Sequence, residues 1–184
     1  MNRDNYVLEK YATPLSATEP LTLAEAKAYM NITSDSQDTL ITELIKAARQ
    51  AIEKATGLSL VPSTVVALID NTGGDIELPL GPYVKELAIA DVDGNAVTSF
   101  TLRGLQFKTL YEPTTSYIVC TYKAGYTASA FETYPLLPTD LLNAIKDQVS
   151  FLFENRGEIG SNSYSPKAWR TCKRYPSTHE TEFL

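Results

Sequence analysis

The stretch of residues 38–56, DTLITELIKAARQAIEKAT, constrains the fold more than any other part of the sequence. Its apolar side chains recur at intervals of three and four residues, which is the spacing of an amphipathic α-helix. The apolar face begins with large Leu and Ile side chains and ends mostly in Ala. Small residues let another helix approach closely, so we expect a partner helix to cross the second half. Gly57 follows, where a residue without Cβ forms a left-handed C-terminal cap most easily.

Two further stretches predict helices. Residues 140–156, DLLNAIKDQVSFLFENR, carry an apolar stripe at helical spacing and are the best candidate for the partner helix. Residues 22–30 begin with Thr22 and have Glu25 three positions later, which is the pattern of a capping box. In that motif the threonine hydroxyl accepts from the backbone of the glutamate, and the glutamate accepts from the backbone of the threonine.

Between the second and third helices the pattern changes to short, β-branched runs separated by turn residues. Strands are predicted near residues 63–70, 76–78, 83–92, 96–102, 105–111 and 116–123. Their spacing favours an antiparallel meander or a small barrel-like sheet, in which residues 105–111 pair with residues 116–123.

Asp93-Gly94 lies between two of these runs and is a tight-hairpin signal. Together with Asp91 and Asn95 it also resembles a fragment of a calcium loop. A complete loop places a glutamate at its twelfth position, which is Leu102 here, so the turn is the better interpretation.

The predicted fold class is α+β: a helical bundle with an inserted small antiparallel β-sheet and extended termini. The bundle consists of the short helix, the long Ala-rich helix and the C-terminal helix. We expect residues 1–20, which contain Pro14 and Pro20 and show no periodicity, to form an N-terminal arm. Residues 21–157 then form the body, with the β insertion at residues 60–126. Residues 158–184 are expected to form an extended C-terminal tail.

The net charge of −6 is unevenly distributed. Residues 161–184 carry +2, which leaves −8 on residues 1–160. An acidic body argues against a broad nucleic-acid-binding surface, because binding to phosphates needs a basic footprint. The longest aliphatic run, residues 65–69, is too short to cross a bilayer, and the N-terminus lacks the apolar core of a signal peptide. We therefore expect a soluble protein with no membrane contact.

No catalytic constellation is recognisable. His179 is the only histidine and has no evident partner for a catalytic triad or a zinc site. Cys120 lies in an apolar strand and is expected to be a core residue. Cys172 has cations nearby that favour a thiolate, yet in an extended tail we expect an exposed thiol rather than a nucleophile. The sequence thus predicts no catalytic residue, no metal site and no cofactor, and the protein is expected not to be an enzyme.

The C-terminal tail combines aromatic and basic residues. Aromatic side chains in an otherwise structureless tail are useful as anchors on a partner. The sequence alone leaves open whether they dock on a partner or pack back on the same subunit. The candidate partner-docking residues are Tyr164, Trp169, Arg170, Lys173, Arg174 and Tyr175.

An ordered series of short motifs resembles a known family. The motifs are Pro20-Leu-Thr22-Leu-Ala-Glu25-Ala-Lys27, the apolar spacing from Asp38 to Arg49, Thr56-Gly57, Ile76-Glu77-Leu78-Pro79 with Pro82, Asp93-Gly94, Tyr122-x-Ala124-Gly125-Tyr126 and Phe153-Glu154-Asn155-Arg156. In this order they resemble the head–tail connector proteins of tailed phages, which are also called adaptor or head-completion proteins. The resemblance covers residues 19–157.

The resemblance implies a subunit of a homo-oligomeric ring, commonly a dodecamer, that docks beneath the portal protein of the capsid. Such a ring extends the DNA channel, lets DNA pass without sequence-specific binding, and carries the next tail or stopper protein. The subunit would be made in the host cytoplasm and located in the virion, at the head–tail interface. The resemblance also implies portal binding through C-terminal segments, which here means the tail with the candidate docking residues.

Two other interpretations remain open. The chain could be a monomeric binding or regulatory module that shares the helix–sheet–helix plan and has no affinity for a portal. It could also be a small packaging-associated hydrolase, which would need convergent titratable groups in a concave site. The single histidine makes the hydrolase the weaker alternative.

Overall fold

The computed structural model describes residues 6–71, 75–113, 115–128, 134–156 and 164–175. His179 and the end of the predicted tail lie outside these ranges. The described residues form four α-helices and seven β-strands. In chain order they are β1 (Tyr6–Pro14), α1 (Leu23–Tyr29), α2 (Asp38–Thr56), β2 (Ser63–Asp70), β3 (Asp75–Glu77), β4 (Tyr83–Asp91), β5 (Thr101–Arg103), β6 (Thr109–Tyr111), β7 (Tyr117–Ala124), α3 (Thr139–Glu154) and α4 (Pro166–Cys172).

This arrangement corrects the predicted fold class. A helical bundle with one small inserted sheet is wrong, because strands and helices hold similar numbers of residues and the strands form two antiparallel sheets. The larger sheet has the order β1-β2-β7-β4, and the smaller one has the order β3-β6-β5. Since β7 lies between β2 and β4, the strands do not form a meander. The predicted pairing of residues 105–111 with 116–123 is also wrong, because β6 pairs with β3 and β5.

The predicted extended termini are wrong as well. The N-terminal segment contributes β1, which pairs with β2 from Tyr6–Asp70 to Pro14–Ser63. A bulge between Val7 and Glu9 interrupts the two-residue alternation that identifies a strand in a sequence. Part of the C-terminal segment forms α4, which packs on α3 and α2. Seven residues are too few to show a helical period in the sequence.

Local signals set the ends of the first two helices as predicted. Helix α2 spans Asp38–Thr56, and Gly57 closes it in the left-handed conformation with φ = 65°. The capping box of α1 is present: the Thr22 amide donates to Glu25 Oε2 at 2.9 Å, and the Glu25 amide donates to Thr22 Oγ1 at 3.2 Å. The hydrogen bonds from Thr22 lower the pKa of the Glu25 carboxyl.

The molecule has two hydrophobic cores. The helical core lies among the four helices, where α3 packs on α2 and both Ala48 and Ala144 are buried. The sheet core lies between the two sheets and contains Val65, Ile118 and Leu110 among its fully buried side chains. The inward faces of both sheets therefore cover each other.

A short junction joins the two cores. The Ser59 amide donates to the Gly81 carbonyl at 2.9 Å, and the Gly125 amide donates to the Pro82 carbonyl at 2.9 Å. Gly125 has φ = 120°, and a Cβ added there would lie 2.1 Å from the Val61 carbonyl oxygen. Only glycine fits this position, because the chain after β7 passes directly against the chain that enters β2.

A buried ion cluster lies beside the junction. Arg49 of α2 is 4% exposed, and its guanidinium donates to Glu19 at 2.6 and 3.2 Å. It also donates to Glu53 Oε2 at 2.5 Å, while Glu53 Oε1 accepts from the Leu60 amide at 2.8 Å. The cluster therefore ties the segment before α1 to α2 and to the chain that leads into β2. Burial raises the pKa of the Glu53 carboxyl despite the nearby guanidinium.

We expect Arg49→Met to lower the free energy of unfolding by about 3–5 kcal/mol near neutral pH, because it leaves two carboxylates without their buried cation. A carboxyl whose pKa is higher in the folded than in the unfolded state makes the protein less stable as the pH rises through that range. Burial raises the pKa of Glu53 and the Arg49 guanidinium opposes this, so removing Arg49 should raise the pKa further. The loss of stability should therefore be larger near pH 7 than near pH 5.

Urea unfolding at both pH values measures this difference. The matched control is Arg49→Met with Glu53→Gln, in which the pH-dependent part of the loss should shrink because the second carboxyl no longer ionises. An equal loss at both pH values in the single variant would contradict the assignment of the cost to buried carboxylates.

Candidate functional site

Helix α4 carries two of the six predicted docking residues, Trp169 and Arg170, and the other four lie within three residues of its ends. Helix α3 packs against it. Ala168 and Cys172 of α4 are buried in the helical core. At its end, the Tyr175 hydroxyl donates to both carboxylate oxygens of Asp140, at 2.8 and 2.9 Å. Burial and this hydrogen bond raise the pKa of Tyr175 to about 12, so the hydroxyl stays a donor at neutral pH.

The other two aromatic residues also pack on their own subunit. The rings of Tyr164 and Trp169 lie 5.3 Å apart between centroids, and Trp169 packs against the helical core. Lys173 places its Nζ 5.3 Å from the centroid of the Trp169 ring, which is a cation–π distance. The aromatic residues therefore anchor α4 to its own subunit and are half-buried rather than presented to a partner.

The basic residues of α4 have the opposite placement. Arg170, Lys173 and Arg174 are exposed, and Lys167 is exposed beside Asp147, with a distance of 3.7 Å between its Nζ and Oδ1. Lys167, Arg170 and Arg174 follow helical spacing and so share one side of the chain. Residues 164–175 contain four cations and no carboxylate, in a protein whose net charge is −6. We call Lys167, Arg170, Lys173 and Arg174 the basic face of α4.

The structure thus brings the six predicted residues together and divides their roles. Three cations are exposed, and three aromatic residues hold the helix that carries them. Sequence reasoning missed Lys167 and Asp140. With a helix assigned there, the helical spacing of Lys167 from Arg170 and Arg174 would have identified Lys167. Asp140 is brought close to Tyr175 only by tertiary packing.

A cleft adjoins the basic face where the two halves of the molecule meet. Its volume is about 360 Å³, and its apolar wall includes Leu58, Leu78 and Phe107. Arg174 and Glu77 contribute charged groups to the lining. Burial raises the pKa of the Glu77 carboxyl. The cleft therefore offers an apolar surface with one carboxyl group and one guanidinium group close to the end of α4.

Both cysteine thiols are buried and therefore unreactive. The expectation that Cys172 is an exposed thiol is wrong, because its side chain is buried and burial raises its pKa to about 11. Cys120 is a core residue as predicted, and burial raises its pKa to about 12. Neither thiol has the depressed pKa of a nucleophile.

The Asp93-Gly94 hairpin turn is confirmed. Asp91 Oδ1 accepts from the amides of Asp93 and Asn95 at 3.0 and 2.8 Å, and Gly94 has φ = 85°. Among the described residues, no group of three or more His, Cys, Asp or Glu side chains is placed to hold a metal ion. None of the helices in that part of the chain combines the length and hydrophobicity needed to cross a membrane.

Comparison with known proteins points to one family and one fold. The model of the family described as phage gp6-like head-tail connector protein matches residues 20–111, half of the chain. Among solved structures, the chain is similar to a chain from the virion of a native gene transfer agent (GTA) particle, with 19% identity and a TM-score of 0.65. No curated protein matches the chain.

Two further similar structures come from GTA necks. A chain from the neck of an empty GTA particle, computed with C6 symmetry, is 18% identical with a TM-score of 0.67. A chain from the neck of a native GTA particle, computed with C12 symmetry, is 18% identical with a TM-score of 0.62. Each of the three matches covers 94% of this chain and 98% of the other, so the shared fold includes the helices beyond residue 111.

We expect Tyr175→Phe to loosen α4 without unfolding the protein, because the substitution removes only the hydroxyl that donates to Asp140. Amide hydrogen exchange in α4 should become about tenfold faster, which corresponds to about 1.4 kcal/mol for a hydrogen bond to a carboxylate. Mass spectrometry of exchanged peptides from residues 164–175 measures the change. Tyr117→Phe is the control, since Tyr117 lies on β7 of the larger sheet and is 45% exposed. Equal exchange in α4 for both variants would rule out the anchoring role.

Proposed function

The chain belongs to the family of phage gp6-like head-tail connector proteins and is a structural subunit, and we propose that it assembles into a ring between the portal and the tail. The observation that carries the proposal is the fold, which is shared along nearly the whole chain with components of GTA necks. Those necks were computed with C6 and C12 symmetry. A homo-oligomeric ring of twelve copies is compatible with both symmetries and is the ring that we propose here.

Such a ring would extend the DNA channel of the portal and carry the next tail or stopper protein in the virion. The acidic composition supports a conduit, because a surface with net negative charge does not retain DNA as it passes. DNA would therefore pass through the lumen without sequence-specific binding, and no membrane is involved.

The basic face of α4 is proposed to contact the portal. Its cations stand on a helix that is held by buried side chains, so binding does not first have to order the segment. Arg170, Lys173 and Arg174 are exposed, and an acidic surface on the portal would complement them. Electrostatic contacts of this kind speed association and fix orientation, and they weaken as salt rises.

Ring formation is tested by measuring the mass of the purified protein in solution, first alone and then mixed with the portal protein. Twelve copies of a 20.3 kDa chain have a mass of about 244 kDa. We expect native mass spectrometry to detect this assembly, either for the free protein or bound to the portal ring. A protein that stays small and ignores the portal at micromolar concentration would contradict the proposal and favour a binding module without portal affinity.

We expect Arg170→Glu with Arg174→Glu to weaken portal binding by about tenfold or more at low salt, since like charges across an interface repel. The loss should become smaller as salt screens the charges. Lys46→Glu with Lys54→Glu changes two exposed cations of α2 in the same way and should leave binding unchanged. Binding is measured by titration of labelled protein into the portal. If both double variants bind equally well, α4 is not the contact.

A further inference from the structure

The larger sheet has an outward face that neither core uses. Cross-strand pairing puts Tyr11, Val66, Thr121 and Ala88 in one row across all four strands. The next outward row consists of Glu9, Leu68, Val119 and Ala90. All eight are partly or fully exposed and belong to neither hydrophobic core. We call these two rows and the residues at their ends the outer sheet face.

The middle of the outer sheet face is unusually apolar. An antiparallel sheet that packs on a core with one side normally turns polar residues to water on the other. Here Val66, Leu68 and Val119 occupy the centre, and Tyr11 beside them is 54% exposed. Contiguous apolar surface of this kind marks an interaction site in soluble proteins.

The two ends of the face carry opposite charges. At one end the outward row contains Lys85 and Lys123. Lys85 Nζ lies 3.7 Å from Glu86 Oε1, and Lys123 Nζ donates across the face to Thr64 Oγ1 at 2.7 Å. At the other end lie Asp70, paired with Tyr117 on β7, and Glu9. Because Glu86 compensates Lys85, the apolar centre lies between the cation of Lys123 and the carboxylates of Asp70 and Glu9.

We propose that the outer sheet face binds the same face of a second copy of this chain. A two-fold axis that lies in the interface and runs across the strands reverses the strand direction between the copies. Each strand then faces the same strand of the other copy in reverse, so Lys123 of β7 comes within one strand spacing, about 4.8 Å laterally, of Asp70 in the other copy, and the apolar centres meet. A two-fold axis along the strands would instead bring the two copies of Lys123 equally close to each other. Charge complementarity thus selects one orientation for the pair.

The size of the face makes this pair weak. Strands lie about 4.8 Å apart and rise about 3.3 Å per residue, so four strands of about eight residues cover about 500 Å² on each copy. The pair buries about 1,000 Å² in total, which is the lower bound for a specific interface. A ring is closed by two different surfaces of each subunit, whereas this contact uses one surface twice. The pair is therefore distinct from the ring contacts, and it covers the apolar face of the free subunit.

Sedimentation velocity of the full chain across micromolar concentrations tests the proposal. We expect a reversible monomer–dimer equilibrium for the natural sequence, and monomer alone for Val66→Glu. Leu105→Glu is the control, because Leu105 is 90% exposed in the β5–β6 connection and lies outside the face. Circular dichroism confirms that each variant is folded. A natural protein that stays monomeric, or a dimer that survives Val66→Glu, overturns the proposal.

A charge exchange tests the orientation independently. Lys123→Glu and Asp70→Lys should each weaken the dimer by about tenfold, which corresponds to about 1.4 kcal/mol. An equimolar mixture of the two variants should regain the natural affinity, because each interface end again pairs opposite charges. Failure of the mixture to dimerise overturns the two-fold orientation.

The same variants distinguish failure of the dimer proposal from failure of the ring proposal. If the natural protein is monomeric and Val66→Glu abolishes portal binding, the face belongs to the portal contact and the proposal is overturned while the ring stands. If the natural protein dimerises but never joins the portal, the ring fails and the dimer stands.

Discussion

The buried cluster of Arg49 with Glu19 and Glu53 is the constraint on which the rest of the molecule depends. A guanidinium that is 4% exposed is stable only if its donors are satisfied, and here the two carboxylates serve that need. Because Glu53 also accepts from the Leu60 amide, the direction in which the chain leaves α2 is set by the same ions. The helical core and the sheet core are therefore joined in one geometry, although few hydrophobic contacts cross between them.

Much of the helical half could be predicted because its signals are local. The bounds of α2, its cap at Gly57 and the capping box at Thr22 follow from residues within a few positions of one another. In the sheet half, the long strands β2, β4 and β7 were predicted to within one residue, but the sheet topology was not. Strands β3, β5 and β6 have three residues each, which is too few to show a two-residue alternation in the sequence. They form a second sheet by packing over the sheet core, and that packing depends on residues distant in sequence. The bulge in β1 and the shortness of α4 hid the two terminal elements for similar reasons.

The candidate docking residues show what sequence patterns tell about a surface and what they omit. Composition singled out a segment in which aromatic and basic residues cluster. It could not show that Trp169 and Tyr175 would be satisfied within the subunit, since Asp140 and the helical core are distant in sequence. Because the aromatic side chains are turned inward, the charged groups that this segment exposes are cations. The portal contact proposed for them would depend on salt and on the charge of the partner more than on burial of apolar area.

The two surfaces proposed for contact, the basic face of α4 and the outer sheet face, lie over different hydrophobic cores. The basic face of α4 rests on the helical core, and the outer sheet face rests on the sheet core. Their relative position is therefore set at the junction, where Arg49 fixes the exit of α2 and Gly125 allows the chain after β7 to pass against Val61. A small change at this junction would shift one surface against the other while leaving both cores intact. In a closed ring such a shift would be repeated at every subunit, so a rigid junction favours assembly.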